Sequence, residues 1–164
     1  TTYPAPTSLP FKVSGSFACD GSTPPGAEIL DHWSTSPNVG WKITVEGELT
    51  FRMTYDGDSG QYGSFRSSQT NVCDGASHDF VIWAGASYVV IEVDNFRLEH
   101  APPVMFSDSG IGSSLAFTIG EGEFSGTISN LVVSPIIVTG TMTTTATTTI
   151  TASVTTTTAT TTST

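Results

Sequence analysis

Residues 74–98 read DGASHDFVIWAGASYVVIEVDNFRL, and the fold class turns on how this stretch is read. Two apolar runs, Phe80 to Ala84 and Tyr88 to Val93, flank a small Gly85-Ala86-Ser87 connection. Val, Ile, Tyr and Trp dominate both runs. Runs this short, bounded by turn residues, predict buried antiparallel strands and not a helix. The second run closes on Asp94-Asn95, a pair that accepts left-handed backbone and so suits a tight turn.

The same pattern repeats along the rest of the chain. Phe11, Val13, Gly15 and Phe17 alternate with polar neighbours at the period of a half-buried strand. Ala27 to His32 predicts a short strand. Trp41, Ile43 and Val45, then Glu46-Gly47-Glu48, then Leu49, Phe51 and Met53 predict a hairpin. Its core face carries those apolar residues, and Lys42, Thr44, Thr50, Arg52 and Thr54 take the wetter face. Tyr62 to Ser68, Val104 to Phe106, Leu115 to Ile119 and Phe124 to Val133 predict further strands, with a Gly/Ser loop at Ser107 to Ser114. No segment has a helical period. Short strands with turns every 8–12 residues or so predict an all-β, two-layer antiparallel sandwich of jelly-roll type. The expected organisation is a Pro-rich extended lead-in over 1–10, the sandwich over 11–138 and an extended Thr-rich tail over 139–164.

The order of these pieces over about residues 11 to 134 resembles laminin-G-like and related concanavalin-type jelly-roll domains. GWKITVEGELTFRM (40–53) is similar to that family's hairpin of Gly-Trp, strand, Gly, strand. DGASHDFVIW (74–83) is similar to its Asp-Gly, any residue, Trp-His segment, and YVVIEVDN (88–95) to its strand ending in Asp-Gly. SLAFTIGEGEFSGTISNLVV (114–133) resembles its closing signature. The resemblance implies a fold that hosts lectins, adhesion domains and glycoside hydrolases, so individual residues must decide among them.

Charge narrows the choice. The net charge is -10 with five Lys and Arg in 164 residues, which argues against nucleic acid and anionic membranes as partners. No run approaches the roughly 18 apolar residues of a membrane span. No signal peptide is present, and a chain that begins Thr1-Thr2-Tyr3 without Met is expected to be already processed. Cys19 and Cys73 are either two buried thiols or one disulfide, the latter stabilising by roughly 3–4 kcal/mol through loop closure. The extracellular character of the tail favours the disulfide. No His/Cys spacing suits zinc, and neither a metal nor a cofactor is expected.

Three kinds of site are open to such a chain. Glu92 and Asp94 alternate as in jelly-roll glycoside hydrolases, but Phe96 stands where the second carboxylate of a retaining pair is needed. No catalytic residue is assigned. Asp56, Asp58, Asp74, Asp79, Asp94 and Asp108 lie in or near turns, where oxygen ligands could serve calcium. They read better as solvated turn residues, and His78 as a structural hydrogen-bonding residue. Trp33 and Tyr62, near loops, are the candidate rings for sugar stacking, while Trp41 and Trp83 are expected in the core.

The tail is the most distinctive segment. From Thr139 it holds seventeen Thr and no charge, the composition of an O-glycosylated stalk. Candidate acceptors are Thr141, Thr143, Thr144, Thr145, Thr147, Thr148, Thr149, Thr151, Thr155, Thr156, Thr157, Thr158, Thr160, Thr161 and Thr162. Met142, Ala146, Ile150, Ala152 and Val154 occupy even positions, so an extended chain places them on one face. Fully extended, 26 residues span roughly 85 Å, too long for folding back on one domain. Strand addition to a neighbouring copy would use that length. The expected function is therefore a structural subunit of an extracellular, O-glycosylated fibre or cell-surface coat that partners with itself. The alternative is a glycan-binding adhesion domain on a mucin-like stalk.

Overall fold

The computed structural model describes residues 3–35, 38–57, 59–112, 116–120, 124–136 and 154–155. In chain order the elements are β1 (Tyr3–Pro4), β2 (Phe11–Cys19), β3 (Ala27–Thr35), β4 (Asn38–Val45), β5 (Glu48–Thr54), β6 (Tyr62–Thr70), β7 (Ser77–Ala84), β8 (Val89–Val93) and β9 (Phe96–His100). Then follow the one-turn helix α1 (Asp108–Ile111), β10 (Ala116–Ile119), β11 (Gly126–Pro135) and β12 (Val154–Thr155). Two antiparallel sheets form, in the orders β1-β10-β3-β4-β5-β6 and β12-β11-β2-β7-β8-β9. The sandwich expected from the sequence is present.

Alternation set the core. Phe11, Val13 and Phe17 of β2 and Phe80, Ile82 and Ala84 of β7 face Trp41, Ile43, Leu49, Phe51 and Met53 of the other sheet, all buried. The Phe11 ring lies 5.5 Å from Trp41 and 6.4 Å from Phe51, centroid to centroid, distances at which aromatic pairs add to simple burial. The β8–β9 turn is Asp94-Asn95 at φ 49° and 68°, positive at both positions as a two-residue hairpin of type I′ requires.

Several expectations are corrected. The hairpin's wetter face is not wet: Thr44, Thr50 and Thr54 are buried. Parity fixes which face a side chain takes, but not what lies over it. Thr44 and Thr50 sit in a cross-strand row with Arg66, beside Arg52, and both cations pair with Glu46. Long charged side chains therefore roof the short threonines. Thr54 is covered by α1, its hydroxyl donating to the Gly110 carbonyl at 2.6 Å. That helix lies where a plain loop was expected. Val104 to Phe106 forms no strand: Val104 and Met105 are exposed, and Phe106 stacks on Tyr55 at 5.0 Å. The prolines at 102 and 103 remove the backbone donors a strand there would need. The lead-in is not outside the fold either, since Tyr3 and Pro4 pair with Phe117 and Ala116.

Of the tail, only the Val154–Thr155 backbone is described. It pairs with Ile128 and Thr127 of β11 in the same chain, whereas the length argument favoured a neighbouring copy. The packing face at Met142, Ala146, Ile150 and Ala152 and the remaining candidate acceptor threonines lie outside the described residues, as does Asp58.

Candidate functional site

One cross-strand row of the first sheet runs from Trp33 on β3 through Gly40 on β4 and Thr54 on β5 to Tyr62 on β6. Two small residues stand between two large ones, so the end rings lean across and meet. Their centroids are 5.5 Å apart at an interplanar angle of 86°, an edge-to-face pair. Twenty-nine positions separate the two residues in sequence, and the sheet brings these two sugar-stacking candidates together. Gly40 is required at this point: its φ is +127°, and a Cβ would overlap the His32 carbonyl.

Polar groups fix the pair. The Trp33 indole N–H donates to Asn38 Oδ1 at 2.8 Å, and Asn38 Nδ2 donates to the Gly60 carbonyl at 2.9 Å. Lys42 Nζ lies 5.8 Å from the Trp33 ring centroid and 2.9 Å from Glu28. Asp31 accepts from the Trp33 backbone N–H at 2.7 Å. Burial first, and the charge of Glu28 second, raise the Asp31 carboxyl above its ordinary pKa. Tyr62 remains 50% exposed. The patch thus offers an open aromatic ring beside hydrogen-bonding and charged side chains, a combination that can stack on the C–H face of a sugar and bind its hydroxyls.

Trp83 is a correction. It was expected in the core, yet it is only half-buried on the outer face of the second sheet. The run Phe80 to Ala84 is apolar at both parities, so alternation could not choose the inward set, and the register of β7 against β2 does. Lys12 Nζ and Arg97 Cζ lie 5.6 and 5.5 Å from its ring centroid. An open cleft of about 440 Å³ beside it is lined by Trp83, Tyr88, Val90, Arg97, Glu99 and Ile136.

The remaining candidates separate. Cys19 and Cys73 are bonded, with Cα atoms 4.5 Å apart. Asp94 commits both carboxylate oxygens, Oδ1 to the Asp79 N–H at 2.9 Å and Oδ2 to His78 at 2.6 Å. Asp74, Asp56 and Asp108 each accept a hydrogen bond from a backbone N–H. Among the described residues, no group of three His, Cys, Asp or Glu side chains is placed to hold a metal ion. No described helix is long and apolar enough to cross a membrane.

No family model and no curated protein sequence matches the chain. Solved structures do. The mouse laminin alpha1 chain, domains LG4-5, superposes at a TM-score of 0.57 with 15% identity, over 81% of this chain and 37% of that one. The binding domain of botulinum neurotoxin DC, in complex with SialylT, superposes at 0.58 with 15% identity, over 76% and 32%. The Ruminococcus gnavus IT-sialidase CBM40, bound to alpha2,3 sialyllactose, superposes at 0.56 with 10% identity, over 73% and 72%. This chain spans about a third of the length of the laminin and toxin chains. Identities this low speak to the fold alone. The chain has the laminin-G-like, concanavalin-type jelly-roll fold.

Proposed function

We propose that this protein is an extracellular glycan-binding adhesion domain carried on a Thr-rich, O-glycosylated stalk. The observation that carries this reading is the Trp33–Tyr62 pair, two rings from the ends of one cross-strand row set edge to face, with Tyr62 half exposed. Two of the structural neighbours are described as bound to sialyllactose or in complex with SialylT, which supports the same reading. The disulfide and the uncharged Thr tail suit an oxidising, extracellular setting. Binding is preferred to catalysis because Asp94 is engaged by His78 and Asp79, and Phe96 replaces the second carboxylate.

The test is a glycan-array screen of the full chain, followed by titration calorimetry on each glycan that binds. Trp33→Ala and Tyr62→Ala should each weaken binding at least about tenfold, on the order of 1.4 kcal/mol, with the far-ultraviolet circular dichroism unchanged. Absence of binding to every glycan, or equal binding by the double variant, overturns the assignment.

A second reading, the fibre or coat subunit, is favoured by a different observation. The second sheet ends in β9, where Phe96 is 58% and Leu98 37% exposed. An open edge of this kind can accept a strand from another copy, and Val154–Thr155 already adds as a strand to β11. Head-to-tail addition would propagate as a filament. Deleting Thr141–Thr164 should then abolish assembly seen by sedimentation velocity and electron microscopy while leaving the sandwich folded. A full-length chain that stays monomeric at high concentration removes this reading.

A further inference from the structure

We propose that the outer face of the second sheet carries a second saccharide site, centred on Trp83 and built for a sugar unit bearing one carboxylate. The chain has 15 acidic residues and only five Lys and Arg. Three of the five cations pair with glutamates: Lys42 with Glu28, Arg52 with Glu46, and Arg66 with Glu46 and Glu48. Lys12 and Arg97 have no carboxylate within 4 Å among the described residues, even though Glu92 is the cross-strand partner of Arg97 and Glu99 lines the cleft. These two cations, with no carboxylate partner among the described residues, converge on one ring, that of Trp83.

Register explains the convergence. Lys12, Trp83, Val90 and Glu99 form one row across β2, β7, β8 and β9, and Val81, Glu92 and Arg97 form the next. Arg97 reaches diagonally from β9 and Lys12 directly from β2, so the ring is approached by a positive charge from each row. Cations held at an aromatic ring and left without carboxylates keep their capacity for a charge-assisted bond. The cleft of about 440 Å³ falls in the size range of small-ligand sites. Its Tyr88 and Trp83 walls offer aromatic surface to the C–H face of a pyranose, and Glu99 an acceptor for a ring hydroxyl. The net charge of -10 repels a long polyanion, which favours a single acidic unit over a sulfated polymer.

This site lies on the sheet opposite the Trp33–Tyr62 patch, so the two can fail separately. Full-length protein labelled with 15N would be titrated with methyl glucuronide, its uncharged methyl ester and a sulfated methyl galactoside, reading the indole N–H resonances. The acid should shift the Trp83 signal and leave that of Trp33 in place. The ester should bind at least about tenfold more weakly. Lys12→Ala and Arg97→Ala should each lower affinity for the acid by a similar factor, whereas Trp33→Ala should not change it. Equal binding of acid and ester, or no shift at Trp83, overturns the proposal. Stronger binding of the sulfated galactoside overturns the carboxylate assignment. Loss of acid binding in Trp33→Ala shows that only the first patch operates.

Discussion

His78 Nδ1 lies 2.6 Å from Asp94 Oδ2, which ties the start of β7 to the turn that closes β8. The other ring nitrogen lies 3.0 Å from Asp74 Oδ1, one residue beyond the disulfide half Cys73. A buried imidazole facing two carboxylates donates from both nitrogens when protonated. It then clamps the disulfide loop to the β8–β9 hairpin. Ser16 on β2 joins the network by donating to Asp79 Oδ1 at 2.6 Å.

Stability should therefore depend on pH through His78. Burial works against the charged imidazole, but the hydrogen bonds to Asp94 and Asp74 and their charges raise its pKa above 6.5. Its contribution is fully present below about 6.5 and is lost as pH rises through the raised folded value. The Asp74 pKa is lowered from 3.8, first by the Ala76 backbone N–H and then by His78. That contribution is present above about 3.8 and disappears as pH falls through the lowered value. Urea midpoints should decline from pH 6 toward pH 9 in the wild type, and His78→Gln should flatten that slope. The substitution should cost about 1–3 kcal/mol at pH 6. An unchanged slope would remove the clamp.

Phe51→Ala should destabilise by about 3–5 kcal/mol, because Phe51 is fully buried against Phe11 and Trp41 and the site has little freedom to collapse. Chemical denaturation at fixed pH measures it. A loss below about 1 kcal/mol contradicts the register of β5.

Gly40 and Gly47 make a controlled comparison, since both have positive φ. A Cβ at Gly47 meets open space, whereas one at Gly40 overlaps the His32 carbonyl. Gly47→Ala should cost about 1 kcal/mol from backbone strain alone, and Gly40→Ala about 3 kcal/mol or more. Gly40→Ala should also weaken sugar binding, because it disturbs the floor beneath Trp33 and Tyr62. Equal costs at the two positions would refute the close approach of β3 and β4.

The Cys19–Cys73 bond closes a separation of 54 residues. Replacing both with Ala should lower stability by roughly 4 kcal/mol in the loop-entropy account. Comparing urea unfolding of the oxidised wild type and the double variant tests this, and equal stabilities would argue that the bond constrains nothing.

The sequence alone determined the class of fold and most of its interior. Alternation placed Trp41, Ile43, Leu49, Phe51 and Met53 inward, because a strand's side-chain period of two is a local property. Asp94-Asn95 announced its turn through the backbone conformations that those two residues tolerate. Even the laminin-G-like resemblance rested on the order of local motifs. The tertiary structure decided everything that depends on what lies across a strand or over a face. It turned Trp83 outward, since both parities of its run are apolar and only pairing with β2 and β8 selects one. It buried Thr44, Thr50 and Thr54 beneath distant side chains and α1. Trp33 and Tyr62 were each legible as candidate rings, but their contact over Gly40 follows from three strand registers. Lys12 and Arg97, 85 positions apart, share one indole for the same reason. Local patterns fix faces and turns, whereas sites arise from non-local register, and register is settled by the whole sandwich packing at once.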